Sequence, residues 1–349
     1  MITKKEIEEI REHLEKAQNP VFFFDNDCDG LCSFLLLQRF IERGKGVVAK
    51  TFPNVDLSLY RRVNELNSDY IFILDKPNVS QEFFAEAKNN NIPVVWIDHH
   101  ETNTKIPEEI FYYNSFEEKK EVGEPVTYLS YKITNKKEDL WIETMGCISD
   151  SFMSENYLKF LEEYPSLGIK TKEPFEVLYN SEIGKISRML NAGLMDTTTN
   201  VVKMLKYLTK VTSPEQILQE NDKIKEVKEK FNFIEKKRKK FVQKAVKKFN
   251  KEEEILFFEY SGQTSMSAEI ANELHFIFPK KYVVVIYKRG TRANISTRGE
   301  NVKKKILEII PKFKAAIGGG HKNAAGAQIQ VEEIPEFIKE FSNLTKEQN

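Results

Sequence analysis

The stretch PVFFFDNDCDGLCSFLLLQRFIERG, residues 20–44, decides how the chain is read. A short apolar run ends in acids and continues as a segment with the spacing and length of a buried helix, giving strand, loop, helix. The unit recurs. GVVAKTF (46–52) precedes a polar helix around SLYRRVNEL, YIFILD (70–75) precedes SQEFFAEAKNN, and IPVVWID (92–98) runs into a loop containing HHETN. Strands that alternate with helices predict parallel pairing, with strand carboxyl ends gathered along one edge, where ligands of such sheets bind.

Beyond this block, from about Glu124 to Thr212, VTYLSYKIT, TMGCISDSFM, KISRMLNAGLM and VVKMLKYL are apolar-periodic and predict a helical half. A charged stretch without glycine, PEQILQENDKIKEVKEKFNFIEKKRKKFVQKAVKKFN (214–250), predicts one or two connecting helices. Strand-like EEILFFEY, KYVVVIYK and RANISTR follow, then IGGGHKNAAGAQIQV and a final helix near EIPEFIKEFSNL. The expected architecture is α/β. A parallel-sheet domain with a helical half covers 1–212, a long connecting helix 213–250, and a smaller α/β domain 251–349. A length of 349 residues suits two cores better than one.

Composition sets outer bounds. With 40% apolar and 30% charged residues the chain can bury a proper interior. Fifty-three basic residues cancel fifty-three acidic ones, so attraction to a polyanion must come from how charge is distributed. Three cysteines, Cys28, Cys32 and Cys147, do not form a disulfide framework and fit a reducing cytosol. Cys28 and Cys32 could share a helical face, but no second Cys/His pair at zinc-finger spacing follows, and they read as small core thiols. The amino-terminal MITKKEIEEIREHLEKA is a charged amphipathic helix, and no apolar run reaches a membrane span. The expected location is cytoplasmic, away from membranes.

Asp25, Asp27 and Asp29 follow the first strand at alternate positions. If the extended conformation persists, all three carboxylates point the same way, and like charges so crowded call for a cation. The plainer alternative is a polar loop with a helix N-cap. Two further strands end similarly: YIFILD delivers Asp75, and VVWID delivers Asp98 followed by His99 and His100. Asp150 lies in an apolar helical segment where an unpaired carboxylate is costly. Separate strand ends presenting acids and imidazoles are what a metal site at the sheet edge needs.

These motifs, FDNDCDG, ILD, DHH (Asp98 to His100) and ISDSF in that order, resemble the DHH phosphoesterases. GGGH (Gly318 to His321) is similar to the associated DHHA1 domain. The resemblance lies closest to the archaeal RecJ-like nuclease branch. It implies two divalent cations, manganese first and magnesium as the alternative. Asp25, Asp27 and Asp75 would hold one ion, and Asp29, Asp75, His99 and Asp150 the other, with Asp75 as the bridge. Asp98 would orient an imidazole, and His100 would face the scissile phosphate. Hard oxygen ligands with a minority of imidazole suit manganese or magnesium better than zinc. Many members carry histidine where this chain has Asp25, a replacement shared with some RecJ-like nucleases and bearing on the affinity for the first ion.

In the second domain the resemblance assigns nucleotide binding across the cleft to Arg298, Gly319, Gly320 and His321, with Ser296 assisting. The residues alone admit two readings of GGGHKNAAGA: a flexible turn, or a glycine run ahead of a small-residue helix that cradles phosphate. RMLNAG (188–193) resembles the NAAGR-type segment of RecJ-like nucleases, with Leu194 where an arginine usually follows. In KKRKKFVQKAVKK (236–248) eight of thirteen residues are basic, which fits either a solvated connector or a track for a phosphate backbone. Phe241, Val242, Ala245 and Val246 are left to pack.

The expected function is metal-dependent phosphodiester hydrolysis, as an exonuclease on single-stranded DNA or RNA, with replication or repair proteins as partners. Alternatives are an oligoribonuclease (nanoRNase) or 3'-phosphoadenosine 5'-phosphate phosphatase, and an inactive DHH-type replication scaffold. A cyclic-dinucleotide phosphodiesterase fits less well, since no anchor or sensory region is expected ahead of the catalytic domain.

Overall fold

Continuous apolar runs in the first half of the chain become strands buried on both faces. A computed structural model describes residues 2–51, 54–117, 123–250 and 252–346. Phe52, at the end of an expected strand, Lys251, where the second domain is expected to begin, and the last three residues lie outside the described residues. The chain divides into two units, Met1–Asn232 and Phe233–Asn349. The division falls inside one long helix, Lys225–Lys248.

In the first unit the strands are β1 (Pro20–Asp25), β2 (Lys45–Ala49), β3 (Asn54–Val55), β4 (Tyr70–Leu74), β5 (Asn78–Val79), β6 (Val94–Asp98) and β7 (Phe111–Asn114). Five form one sheet in the order β2-β1-β4-β6-β7, and every pairing in it is parallel. β3 and β5 make a separate parallel pair. Alternation divides the apolar residues between the two faces. Val21, Phe23, Ile71, Ile73 and Trp96 join Tyr60, Val63, Phe83 and Phe84 in one core. Phe22 and Phe24 lie against Phe34 of the helix Cys28–Ile41, with the Phe24 and Phe34 rings stacked at 5.1 Å. That helix in turn packs on the helices Val126–Thr134 and Leu140–Ser149 of the predicted helical half.

In this strand order the connections leave β1 and β4 in opposite directions, so a crevice opens between their carboxyl ends. Asp25 ends β1, and Asp75 immediately follows β4.

The second unit holds β8 (Ile255–Ser261), β9 (Tyr282–Arg289), β10 (Arg292–Arg298), β11 (Ile317–His321) and β12 (Ala324–Gln330) in the order β11-β12-β10-β9-β8. Of the pairings in this sheet, only that of β8 with β9 is parallel. Here the structure corrects an expectation. GGGH is a strand, and AAGAQIQ is its antiparallel partner, so no small-residue helix follows the glycines and no helix terminus can cradle phosphate there. The reason is pairing: β12 hydrogen-bonds to β10 on one side and β11 on the other, and this overrides the helical propensity of its alanines.

Candidate metal centre

The corner between β1 and the helix Cys28–Ile41 departs from the extended geometry expected of the three acids. Asp27 has left the strand and caps the helix, accepting a hydrogen bond from Gly30 N at 2.9 Å. Asp29 lies in the first helical turn, buried, with Oδ1 accepting from Thr127 N at 2.8 Å and Oδ2 from Val126 N at 3.0 Å. Asp29 therefore also closes the amino terminus of the helix Val126–Thr134, satisfying donors that would otherwise be orphaned. Asp27 is the helix N-cap of the plainer reading, and Asp25 and Asp27 nonetheless keep their carboxylates close together. Gly30 permits the corner: a Cβ there would lie 2.7 Å from both N and O of Asp25.

Asp75 leaves β4 at φ 59°, a left-handed conformation that Asp tolerates better than most residues, at a cost of about 1 kcal/mol. The bend puts its carboxylate at the centre of the cluster. Ligand atoms of Asp25, Asp27 and Asp75 lie within 4.8 Å of one another, and so do those of Asp29, Asp75 and His99. Asp75 is common to both groups. His99 is buried, with Nε2 3.1 Å from Asp75 Oδ1 and 3.9 Å from Asp29 Oδ2, and Nδ1 3.8 Å from Asp150 Oδ2. Asp98, fully buried, accepts His100 Nδ1 at 2.8 Å and His100 N at 3.2 Å. The imidazole that Asp98 orients is thus that of His100.

Burial with like charges governs the protonation of this cluster. Burial first, then Asp25 and Asp29, push Asp27 up to about 7. Burial, followed by Asp29 and Asp27, raises Asp75 and Asp150 well above the usual carboxylate range. Asp29 is raised by burial despite the amides it caps. For His100 burial opposes charge, but Asp98, Asp150 and Asp25 outweigh it and lift the imidazole to about 9. Asp75 Oδ1 is buried and, among the described residues, accepts no hydrogen bond of proper geometry. Repelling carboxylates around such an oxygen fit divalent cations.

A stability test follows. These acids hold protons in the folded state that the unfolded chain releases, so stability present at low pH falls as pH rises from near 4 through the folded value, about 7 for Asp27. In excess chelator the melting temperature should drop between pH 5 and pH 8, and saturating manganese should abolish the drop. A chelated protein equally stable at both pH values would refute the electrostatic account.

Sequence reasoning missed Lys76. Its side chain is fully buried, and its Nζ lies 2.8 Å from Asp25 Oδ1 and 2.9 Å from Thr51 O. The three cysteines are buried free thiols, with Cys28 and Cys32 Sγ 3.7 Å apart.

In the second unit, register brings the predicted substrate residues together. Ser296 and Gly319 both pair with Gly326, and Arg298 and His321 both pair with Ala324. Opposed residues of antiparallel strands share a face, so all four lie on one face, about 10 Å across, over a floor of glycine and alanine. The neighbouring helix Ser267–Ile277 orients two of them: Ser267 Oγ bonds Ser296 Oγ at 2.9 Å, and Asn272 accepts from Arg298 Nε. Gly320 needs to be glycine, with φ 135° and no room for a Cβ against Ala324 O, whereas a Cβ at Gly319 would meet open space. RMLNAG forms the carboxyl-terminal half of the helix Glu182–Leu194 in the first unit, with Arg188 donating to Leu178 O and Gly193 packed against Met204 and Val227.

Acids and imidazoles thus converge at the switch point of the parallel sheet of the first unit, and the second unit carries a face of small residues beside Ser296 and Arg298. The chain belongs to the DHH family: the model of the DHH family N-terminal domain matches residues 21–148, and that of the DHHA1 domain matches 239–347. Among solved structures it is similar to RecJ of Thermus thermophilus in complex with Mn2+. The TM-score is 0.69 at 15% identity over 98% of this chain, which spans only 54% of that protein. It is also similar to the pGpG-specific phosphodiesterase PggH of Vibrio cholerae (TM-score 0.51, 14% identity, 94% of this chain and 99% of that one). CDC45 of Entamoeba histolytica gives a TM-score of 0.54 at 11% identity, over 97% of this chain and 98% of its own. At these identities the likeness is one of fold. No curated protein matches the chain. Among the described residues, no helix is long and apolar enough to cross a membrane.

Proposed function

We propose that this protein hydrolyses phosphodiester bonds in single-stranded nucleic acid, as an exonuclease dependent on two divalent cations, manganese by preference. The observation that carries the reading is the position of Asp75, whose carboxylate belongs to both ligand groups. Asp25, Asp27 and Asp75 would hold one ion, and Asp29, Asp75, His99 and Asp150 the other. Bound there, divalent cations supply the Lewis acidity that phosphoester hydrolysis requires. Asp98 fixes the His100 ring through Nδ1, so that a protonated imidazole presents Nε2–H to the reacting phosphoryl group. Arg298, aligned by Asn272 and Thr297, binds a phosphate of the substrate, with Ser296, Gly319 and His321 completing its face and Gly320 turning the backbone between the last two.

A polynucleotide is favoured by the helix Lys225–Lys248. Arg238 is buried in ion pairs with Glu235 and Glu273, while Val242 and Ala245 pack inward. Lys236, Lys239, Lys240, Lys244, Lys247 and Lys248 remain exposed. Lys237 Nζ sits 4.0 Å from the ring of Phe233, itself 50% exposed. Beside them a hollow of about 190 Å³ is lined by Lys240, Phe241, Lys244, Tyr260 and Gly262. Lysines interleaved with aromatic rings suit a phosphate backbone and stacked bases.

The test is manganese-dependent digestion of end-labelled single strands of DNA and RNA beside a dinucleotide. Faster cleavage of long strands, suppressed by salt, is expected; cleavage of the dinucleotide alone would transfer the activity to short substrates. Arg298→Ala should raise KM about ten- to hundredfold, the value of a charge-assisted hydrogen bond, with kcat little changed. A loss confined to kcat would remove Arg298 from binding.

A further inference from the structure

Lys76 follows the bridging acid directly, yet its side chain is buried within the first unit. Its ammonium reaches Asp25 Oδ1 at 2.8 Å and Thr51 O at 2.9 Å, with no solvent exposure. The chain around it is fixed as well. Trp96 Nε1 donates to Lys76 O at 2.9 Å, and Asp75 N donates to Ile97 O at 3.0 Å, so the left-handed bend at Asp75 is held from β6. Asp25 is one of the three acids whose ligand atoms cluster within 4.8 Å. In the other group Asp29 meets the His99 imidazole, and Asp75, common to both groups, meets His99 and His100. His100 therefore stands beside the acid that both groups share, whereas the Lys76 ammonium is paired with Asp25, a ligand of the first group alone.

We infer that Lys76 makes the two cation positions unequal, weakening the one built on Asp25, Asp27 and Asp75 relative to the one built on Asp29, Asp75, His99 and Asp150. An ammonium hydrogen-bonded to a carboxylate oxygen takes up one of its lone pairs and draws electron density from it, which makes Asp25 a poorer ligand for a divalent ion. It also places a like charge beside any ion bound there, where low solvent access strengthens the repulsion. The Asp29 position fills first and tightly, and the Asp25 position fills only at higher cation concentration. Lys76 is a positioning residue: it acts on the ions through Asp25 and touches no substrate.

This rests on the two-cation reading above, and manganese binding to the full chain separates the two claims. The readouts are calorimetric titration and electron paramagnetic resonance of manganese, with no substrate present. The wild type should show two classes of one ion each, at least tenfold apart in Kd, and the spin-coupled pair signal should appear only as the weaker class fills. Lys76→Gln keeps a hydrogen-bond donor without the charge, and should tighten the weaker class tenfold or more, bringing the pair signal to lower manganese ratios. Lys76→Arg, which retains the charge, should keep the classes apart. If the glutamine variant fails to fold, as shown by its melting curve, Lys76→Met removes the same charge. A gap unchanged or widened in the neutral variant overturns the inference while leaving the two-cation reading intact. A wild type that binds no manganese overturns both.

Discussion

Asp75→Ala should abolish manganese-dependent hydrolysis, lowering kcat/KM by about four orders of magnitude or more. The carboxylate is shared by both ligand groups, so its removal takes a ligand from each position at once. Lewis-acid stabilisation of a phosphoryl transition state is worth several kcal/mol, and about 5.5 kcal/mol corresponds to four decades in rate. The same variant in chelator should melt higher than the wild type. Asp75 carries a carboxylate pushed well above its usual range by burial and by Asp29 and Asp27, and its removal relieves that repulsion. A variant that kept a tenth of the wild-type rate would end the claim that this residue is the bridge. Loss of fold would show in the melting curve and could not be mistaken for loss of chemistry.

The second large effect belongs to His100. His100→Ala should reduce kcat about 10²- to 10⁴-fold, the range for removal of a positioned proton donor, with KM nearly constant. The residue is half-buried, its Nδ1 is committed to Asp98, and its charge is sustained by the acids around it. Asp98→Asn should give a smaller loss, about 10- to 100-fold, because the ring remains but its orientation and charge lose support. Steady-state kinetics on one labelled strand length measures both. If the Asp98 variant proved more damaging than the His100 variant, the order of dependence argued from the hydrogen bonds would be reversed.

Much of this site can be read in the residues because parallel strands leave a strong signature. PVFFF, YIFIL and VVWI are apolar without alternation, as strands covered on both faces must be, and each hands its last acid to the same sheet edge. β7 leaves no comparable trace: FYYN is an edge strand with one exposed and two half-exposed positions. The hairpin of β11 and β12 misleads because glycine and alanine carry no periodic pattern, and its strand character comes from neighbours distant in sequence. At the first acidic motif, alternation suggested an extended ladder, but the Asp27 cap turns the chain and brings Asp29 in from a helix. Lys76 had no signal at all. Beside an acid, a lysine usually reads as surface charge, and only the left-handed bend at Asp75 and the burial around it reveal otherwise.

The corner at Gly30 separates what shapes this protein from what makes it act. The close approach of that glycine to the Asp25 backbone involves no carboxylate, and the apolar faces of the sheet pack without help from the acids. The acids are a thermodynamic burden whenever no cation is bound, as their raised protonation shows. Replacing Asp75 by a neutral residue, or Asp27 by asparagine, which can still cap the helix, therefore relieves repulsion and stabilises the cation-free fold while the architecture persists. Such a chain would keep its surfaces and lose, in a single step, whatever chemistry the cluster supports.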